Sequence, residues 1–319
     1  MASGWKGENY YPIAFAWKVP TTCICPQGNA KAQYRLGILY YNQLIGSDSS
    51  ENNRLAFKYF KLSADQGNDK AQLMVGYFYH RGGTGIEENL KEAFKYFKLS
   101  SDQDNADAQL NLGLAYKEGE GVEQNLEQAF NYFKLSADKG NAEAQYNLGL
   151  LYKDGLGVSQ SYVEAFNYFK LSAEQRNSEA QCNLGLLYRD GLGVSQNYDE
   201  ALNYFKQSAE KKNTMALLYL GLMYEKAIGV KQDSYEAFKY FKLSADQGNA
   251  EAQLWVGIMN RQAKGMWQPN LEEALKYFKL SANQGNSEAQ NYLGVMYDNG
   301  EGIAQNHEEA FKYYKLSAD

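Results

Sequence analysis

The sequence predicts an all-α fold, a superhelical solenoid of about eight antiparallel helix pairs, and three observations lead there. A Leu-Gly or Val-Gly pair recurs at Gly37, Gly76, Gly113, Gly149, Gly185, Gly221, Gly257 and Gly294, and from Gly113 to Gly257 every step is 36 residues. A fixed period of this size marks a repeat array, in which no unit buries its own apolar face and each stacks on its neighbours. Within each unit two stretches show helical apolar spacing. Proline is scarce, with 4 in 319 residues, as expected of a mostly helical chain.

The repeat overrides the two-domain expectation that length alone would raise. One elongated domain covers residues 29–319, behind a non-repeating segment at 1–28. The hydrophobic content of 44% is ample for a continuous core, and the net charge of −6 gives no reason to expect nucleic acid or an anionic membrane. The longest apolar run of the leader, Ile13 to Trp17, is too short for a signal h-region or a membrane span, so a cytoplasmic protein is expected. A secretion signal within either terminus stays open. Three cysteines (Cys23, Cys25, Cys182) and two histidines (His80, His307) are too few and too scattered for a structural metal site, and neither metal nor cofactor is expected. A reducing compartment fits.

Taken in order, the leader is aromatic (Trp5, Tyr10, Tyr11, Phe15, Trp17) and is expected to cover the end of the first repeat; a strand-like arm lying in the protein's own groove is the alternative. The first repeat contains a polar loop over Gln43 to Asn53, followed by a helix around Leu55 to Ala64. Later repeats begin at Asn68, Asn105, Asn141, Asn177, Asn213, Asn249 and Asn286, where an asparagine can accept from the unpaired amides of a first helical turn. An acid two residues later suits the positive helix end (Asp107, Glu143, Glu179, Glu251, Glu288). Gly67, Gly140, Gly248 and Gly285 precede four of these caps and fit a left-handed helix stop.

In the first helix of each unit, Ala144, Leu148 and Tyr152 share one face. Gly149 lies mid-helix, where it costs about 1 kcal/mol against Ala, so another helix must approach closely there. Gly155 and Gly157, matched by Gly119/Gly121, Gly191/Gly193 and Gly300/Gly302, follow a helix and lack a Lys-Ser/Thr partner; they predict a tight helix–helix turn rather than a phosphate loop. The second helix is Glu-Ala-Phe-x-Tyr-Phe-Lys-Leu-Ser-Ala, with Ala129, Tyr132, Phe133 and Ser136 on its inner side. Lys95, Lys98, Lys239, Lys242, Lys276 and Lys279 lie opposite and read as solvated. Glu236 and Glu273, three residues before Lys239 and Lys276, predict weak ion pairs.

These motifs resemble the Sel-one-like repeat, a cousin of the tetratricopeptide repeat: Ala-x-x-x-Leu-Gly-x-x-Tyr, Gly-x-Gly-Val, Glu-Ala-Phe-x-Tyr-Phe and Ser-Ala-x-x-Gly-Asn, in eight copies over residues 29–319. The resemblance implies a right-handed superhelix whose members mostly act as adaptors between proteins, including in bacteria living within host cells. It would then allow export into a host cell. A secreted, cysteine-rich branch linked to β-lactam-like compounds carries two cysteines per repeat, which this chain lacks.

In the tetratricopeptide relatives the first helices line the concave side. Aligning Leu148-Gly149 with the family's Leu-Gly makes Asn111, Asn147 and Asn183 inward, at a position where an Asn can donate to and accept from a ligand backbone. The same position becomes Tyr219, Trp255 and Tyr292, which could supply contact area at small entropic cost. Tyr146 faces inward beside Leu150, as do Leu110/Leu114 and Leu254/Ile258. Stacked helices lie about 10 Å apart and an extended chain advances about 3.3 Å per residue, so a bound strand would meet one Asn about every third residue. The alternative is that these asparagines and tyrosines bond or pack only between repeats. Lys153 and Arg189, with Lys117, form a lip, but Glu118, Asp154 and Asp190 follow directly and commit it to no acidic ligand. Lys31 and Arg35 have clamp spacing without the repeats that would complete a clamp.

No nucleophile–base pair stands out. The expectation is therefore a non-enzymatic scaffold for a protein or extended peptide. The alternatives are the repeat part of a larger enzyme and a β-lactam-hydrolysing member. The chain stops within the motif at Leu316-Ser-Ala-Asp319; either the sequence is a piece of a longer protein, or this end is covered by another copy, which would be self-association, or by a partner. The seventh repeat departs from pattern at Asn260, Ala263 and Gly265-Met-Trp-Gln-Pro269.

Overall fold

A computed structural model describes residues 28–42, 49–83, 85–265 and 268–318. They form eight helix pairs and no strand. The pairs are α1 (Ala30–Tyr41) with α2 (Ser49–Ala64), α3 (Asp69–Arg81) with α4 (Leu90–Ser101), α5 (Ala106–Glu118) with α6 (Leu126–Asp138), and α7 (Ala142–Asp154) with α8 (Tyr162–Glu174). They continue as α9 (Ser178–Asp190) with α10 (Tyr198–Glu210), α11 (Thr214–Glu225) with α12 (Ser234–Ala245), α13 (Ala250–Gln262) with α14 (Leu271–Ala282), and α15 (Ser287–Asn299) with α16 (His307–Ala318). Extensive packing links each helix to its neighbours in the chain, which is the one-dimensional pattern of a solenoid. The aromatic leader up to residue 27, with Cys23 and Cys25, lies outside the described residues, as do Met266 and Trp267.

The caps follow the sequence expectation. Asn141 Oδ1 accepts from Ala144 N at 2.9 Å, and Asn29, Asn68, Asn105, Asn177, Asn213, Asn249 and Asn286 cap the other first helices in the same way. Gly67, Gly140, Gly248 and Gly285 have positive φ, and Asp104, Arg176 and Lys212 take the same conformation in the repeats that lack the glycine. The position is thus set by chain geometry, with glycine as its cheapest occupant. The loop of the first repeat is shorter than expected: Ser49 to Asn53 already belong to α2, because a polar stretch with Glu51 in the first turn suits a helix start as well as a loop.

Gly149 owes its place to an aromatic ring. A Cβ there would lie 2.7 Å from both Cδ1 and Cε1 of Phe169, a fully buried residue of α8 in the same repeat. Phe60, Phe97, Phe133, Phe205, Phe241 and Phe278 press in the same way on Gly37, Gly76, Gly113, Gly185, Gly221 and Gly257, and Tyr314 does so on Gly294. The second glycine of each Gly-x-Gly serves stacking between repeats: a side chain at Gly157 would collide with the Leu126 carbonyl at the start of the preceding repeat's second helix.

Polar ladders run through this core. In all eight repeats the Ser at this place in the second helix (Lys-Leu-Ser-Ala in six of them, Lys-Leu-Ser-Ser at Ser100 and Lys-Gln-Ser-Ala at Ser208) donates to the carbonyl of the first residue of its partner helix, as in Ser172 Oγ to Ala142 O at 2.6 Å and Ser136 Oγ to Ala106 O at 2.7 Å. Ser136, expected as part of an apolar face, is buried but hydrogen-bonded. Gln145 links repeats, donating to Ala137 O at 3.3 Å and accepting from Gln175 at 2.8 Å. An aromatic ladder adds to this: Phe130 meets Tyr152 edge-on at 5.4 Å, and Tyr152 stacks on Tyr168 at 5.7 Å.

The lysine row needs one correction. Lys239 and Lys276 are exposed and pair with Glu236 and Glu273 as expected. Lys242 and Lys279 are half-buried instead: Lys242 bonds the buried Tyr277 hydroxyl and lies over its ring, and Lys279 lies over Tyr297, so both clip neighbouring repeats together. In the seventh repeat Asn260 is buried and donates to Val256 O at 2.8 Å, while Ala263 adopts the left-handed cap that glycine supplies elsewhere.

Candidate functional site

The first helices stand side by side and touch directly. Asn141 Nδ2 donates to Asp107 Oδ1 at 3.0 Å, Asn111 Nδ2 donates to the Tyr77 hydroxyl at 2.9 Å, and Arg189 lies over the Tyr219 ring at 5.2 Å. α3 through α15 therefore present one wall, and the residues expected to meet a partner all sit on it.

The three asparagines fare differently. Asn111 is 1% exposed, and its amide also donates to Asp107 O of its own helix at 2.6 Å; it braces repeats 2 and 3 and is out of a visitor's reach. Asn147 is 7% exposed and donates to Glu143 O at 2.9 Å. The expectation of an asparagine row gripping a ligand is thus corrected for these two: neighbouring helices cover them, and their donors are engaged. Asn183 alone is half-exposed, with Nδ2 on Glu179 O at 3.0 Å and the Tyr146 hydroxyl beside it.

The aromatics are both packed and accessible. Trp255 stacks at 5.3 Å and 8° on Phe241 of the preceding repeat, and Lys226 lies over its ring at 5.6 Å. Tyr292 repeats this with Phe278 at 4.8 Å and Arg261, and Tyr219 with Phe205 at 5.3 Å and Arg189. Each ring lies between a phenylalanine and a cation and keeps a half-exposed edge. The cations over Trp255 and Tyr292 escaped the sequence reading. Their signal was Lys226 and Arg261, 36 and 35 positions after Asp190 and Lys226 respectively, in the last turn of each preceding first helix or just beyond it.

The lip is paired within itself. Arg189 makes a two-point contact with Asp190 (Nε to Oδ1 2.7 Å, Nη2 to Oδ2 2.8 Å), and Lys153 lies 3.7 Å from Asp154. In the sixth repeat the equivalent position is acidic: Glu225 is buried and bonds Lys264 at 2.6 Å and the Ser234 hydroxyl at 2.9 Å. Burial pushes the Cys182 thiol up to about 12, so it stays a thiol at neutral pH and is a poor nucleophile. Burial, helped by the charge of Glu179, pushes the Tyr146 hydroxyl up to about 12. No group of His, Cys, Asp and Glu among the described residues is arranged to hold a metal ion.

A wall of this kind, built from stacked helix hairpins, defines an α-solenoid repeat protein. The chain belongs to the Sel1 repeat family, whose repeat model matches eight times, at residues 30–68, 69–105, 106–141, 142–177, 178–213, 214–249, 250–286 and 287–319. The structure is similar to that of c5321, a protective antigen of uropathogenic Escherichia coli with this repeat fold, with a TM-score of 0.78 and 34% identity over 91% of this chain. The chain spans 62% of that protein's length. It is also similar to a Sel1 repeat protein from Oxalobacter formigenes, with a TM-score of 0.70 and 32% identity, covering 77% of this chain and 96% of that one. No curated protein matches the sequence. Sel1 repeat proteins are generally protein-interaction scaffolds, and their fold is typically non-enzymatic. Among the described residues no helix is long and apolar enough to cross a membrane.

Proposed function

We propose that this protein is a non-enzymatic adaptor that holds a peptide or protein partner along the wall of first helices, its concave face. The contacts assigned to the partner are Tyr146, Asn183, Tyr219, Trp255 and Tyr292, with Lys153 and Arg189 at the lip; Asn111 and Asn147 support them from beneath. The observation that carries the reading is the fixed pose of the three aromatics. A ring already clamped between a phenylalanine and a cation loses little further freedom on binding, so its exposed edge supplies contact at small entropic cost. The likeness to an antigen of a pathogenic bacterium supports a role in host–microbe contact.

The test is affinity capture from the native cell with the wild-type chain and with Tyr219→Ala/Trp255→Ala. The partner should be lost from the variant while helicity is kept; a variant that captures the same partner equally well overturns the assignment.

A further inference from the structure

We infer that the segment received by this wall is basic: an extended stretch of partner polypeptide with lysine or arginine at about every third residue. The inference rests on the reading above and deepens it, from a polypeptide to a polypeptide of stated charge. The docking surface is the half-buried strip of Tyr146, Leu150, Asn183, Leu186, Tyr219 and Trp255. The charges along its rim decide what suits it.

Five first helices carry an acid at their second residue: Asp107, Glu143, Glu179, Glu251 and Glu288. All five are exposed, and none forms an ion pair with a described cation. The second helices are mixed. In four of them the first-turn acids Glu92, Glu236, Glu273 and Glu309 each hold a lysine three residues on, whereas Glu127, Glu164, Asp199 and Glu200 of α6, α8 and α10 form no ion pair with a described cation. A helix dipole favours an acid in either set and so explains neither the pairing nor its absence. In α5, α7 and α9 the bases do not compensate, because each helix contains two acids and one base, and that base is held by the acid following it; the sixth repeat interrupts the row, with Met215 in the acid's place and Lys226 over the Trp255 ring.

Geometry makes the acids a row. The cap of repeat 4 bonds the acid of repeat 3, Asn141 Nδ2 to Asp107 Oδ1, so the rims of adjacent repeats touch. The carboxyl of Glu143 is raised above its ordinary value by the protein around it and then by the negative charge of Asp107, the crowding that a cation from outside would relieve. Tyr146 lies one turn along from Glu143, and Trp255 and Tyr292 lie four residues on from Glu251 and Glu288. A lysine or arginine can lay its alkyl stem along those ring edges with its head at the carboxylate.

The test uses three fluorescein-labelled synthetic peptides of equal length with Arg, Gln or Glu at every third position, titrated by anisotropy against the full chain. The Arg peptide should bind about tenfold or more tightly than the Gln peptide, and binding should weaken as salt is raised. Glu143→Gln/Glu179→Gln should lose about tenfold in affinity for the Arg peptide with an unchanged melting curve, while Glu92→Gln/Glu236→Gln on the second helices should lose none. Equal binding of the Arg and Gln peptides, preference for the Glu peptide, or an unaffected Glu143→Gln/Glu179→Gln variant overturns the inference. Sedimentation velocity covers a second copy as occupant: self-association that Glu143→Gln/Glu179→Gln abolishes also overturns it. If Tyr219→Ala/Trp255→Ala weakens all three peptides alike, the wall still binds and only the charge assignment falls. If that variant changes nothing, the adaptor reading falls with it.

Discussion

Replacing Gly149 by Ala sets two opposing terms against each other. In an exposed helix interior the exchange stabilises by about 1 kcal/mol, because alanine gives up less backbone freedom on folding. Here the new Cβ would stand 2.7 Å from two ring carbons of Phe169, where carbon atoms settle at about 3.5–4.0 Å, so ring and helix must part by about 1 Å. Phe169 is fully buried and cannot turn away. Overpacking of this kind costs about 1–3 kcal/mol, which outweighs the helical gain and leaves a net loss of up to about 2 kcal/mol. With Phe169→Ala the notch is empty, and the same Gly149→Ala exchange should then stabilise by about 1 kcal/mol on top of the large loss from the missing ring. Urea unfolding of the wild type, both single variants and the double variant, followed by far-UV circular dichroism, measures the coupling. A higher midpoint for Gly149→Ala in the wild-type background would refute the claim that ring packing places these glycines. Gly294→Ala should cost less, since its partner Tyr314 is half-exposed on α16, which has no following repeat among the described residues.

Ala263→Gly should stabilise by up to about 1 kcal/mol, since the residue sits at φ 58° where four other repeats place glycine; a thermal melt reads it. Ser172→Ala removes a buried donor from Ala142 O and should cost about 0.5–1.5 kcal/mol in urea, with Ser100→Ala two repeats away adding independently. Lys264→Leu leaves Glu225 buried without its cation and should destabilise markedly, whereas adding Glu225→Lys restores the pattern seen two repeats earlier (Lys153, with Leu192 of the next repeat in the place of Lys264) and should recover most of the loss. Cys182 and Tyr146 are neutral when protonated, and burial raises both from 9.0 and 10.0 to about 12. The stability they contribute is complete below the unfolded values and is lost as pH climbs towards 12, so urea midpoints should fall above about pH 9, less steeply in Cys182→Ala.

The sequence by itself determined the repeat, its boundaries, the helix pairing and the caps. Those features are encoded within a dozen residues: an asparagine at a helix start, apolar side chains four apart, a glycine where the chain turns left-handed. It also placed Tyr219, Trp255 and Tyr292 on one face, because position along a helix dictates face. Tertiary structure alone decided which of those faces stays open. Asn111 and Asn183 occupy equivalent positions with the same own-helix bond, yet Tyr77 of the neighbouring repeat covers one and leaves its counterpart half-exposed. The ring behind Gly149, the acceptor of Ser172 and the tyrosine beneath Lys242 lie 20, 30 and 35 residues away in the chain. A local pattern can say that a side chain points off a helix; what it meets there depends on how the next hairpin stacks, and that is fixed by packing between repeats.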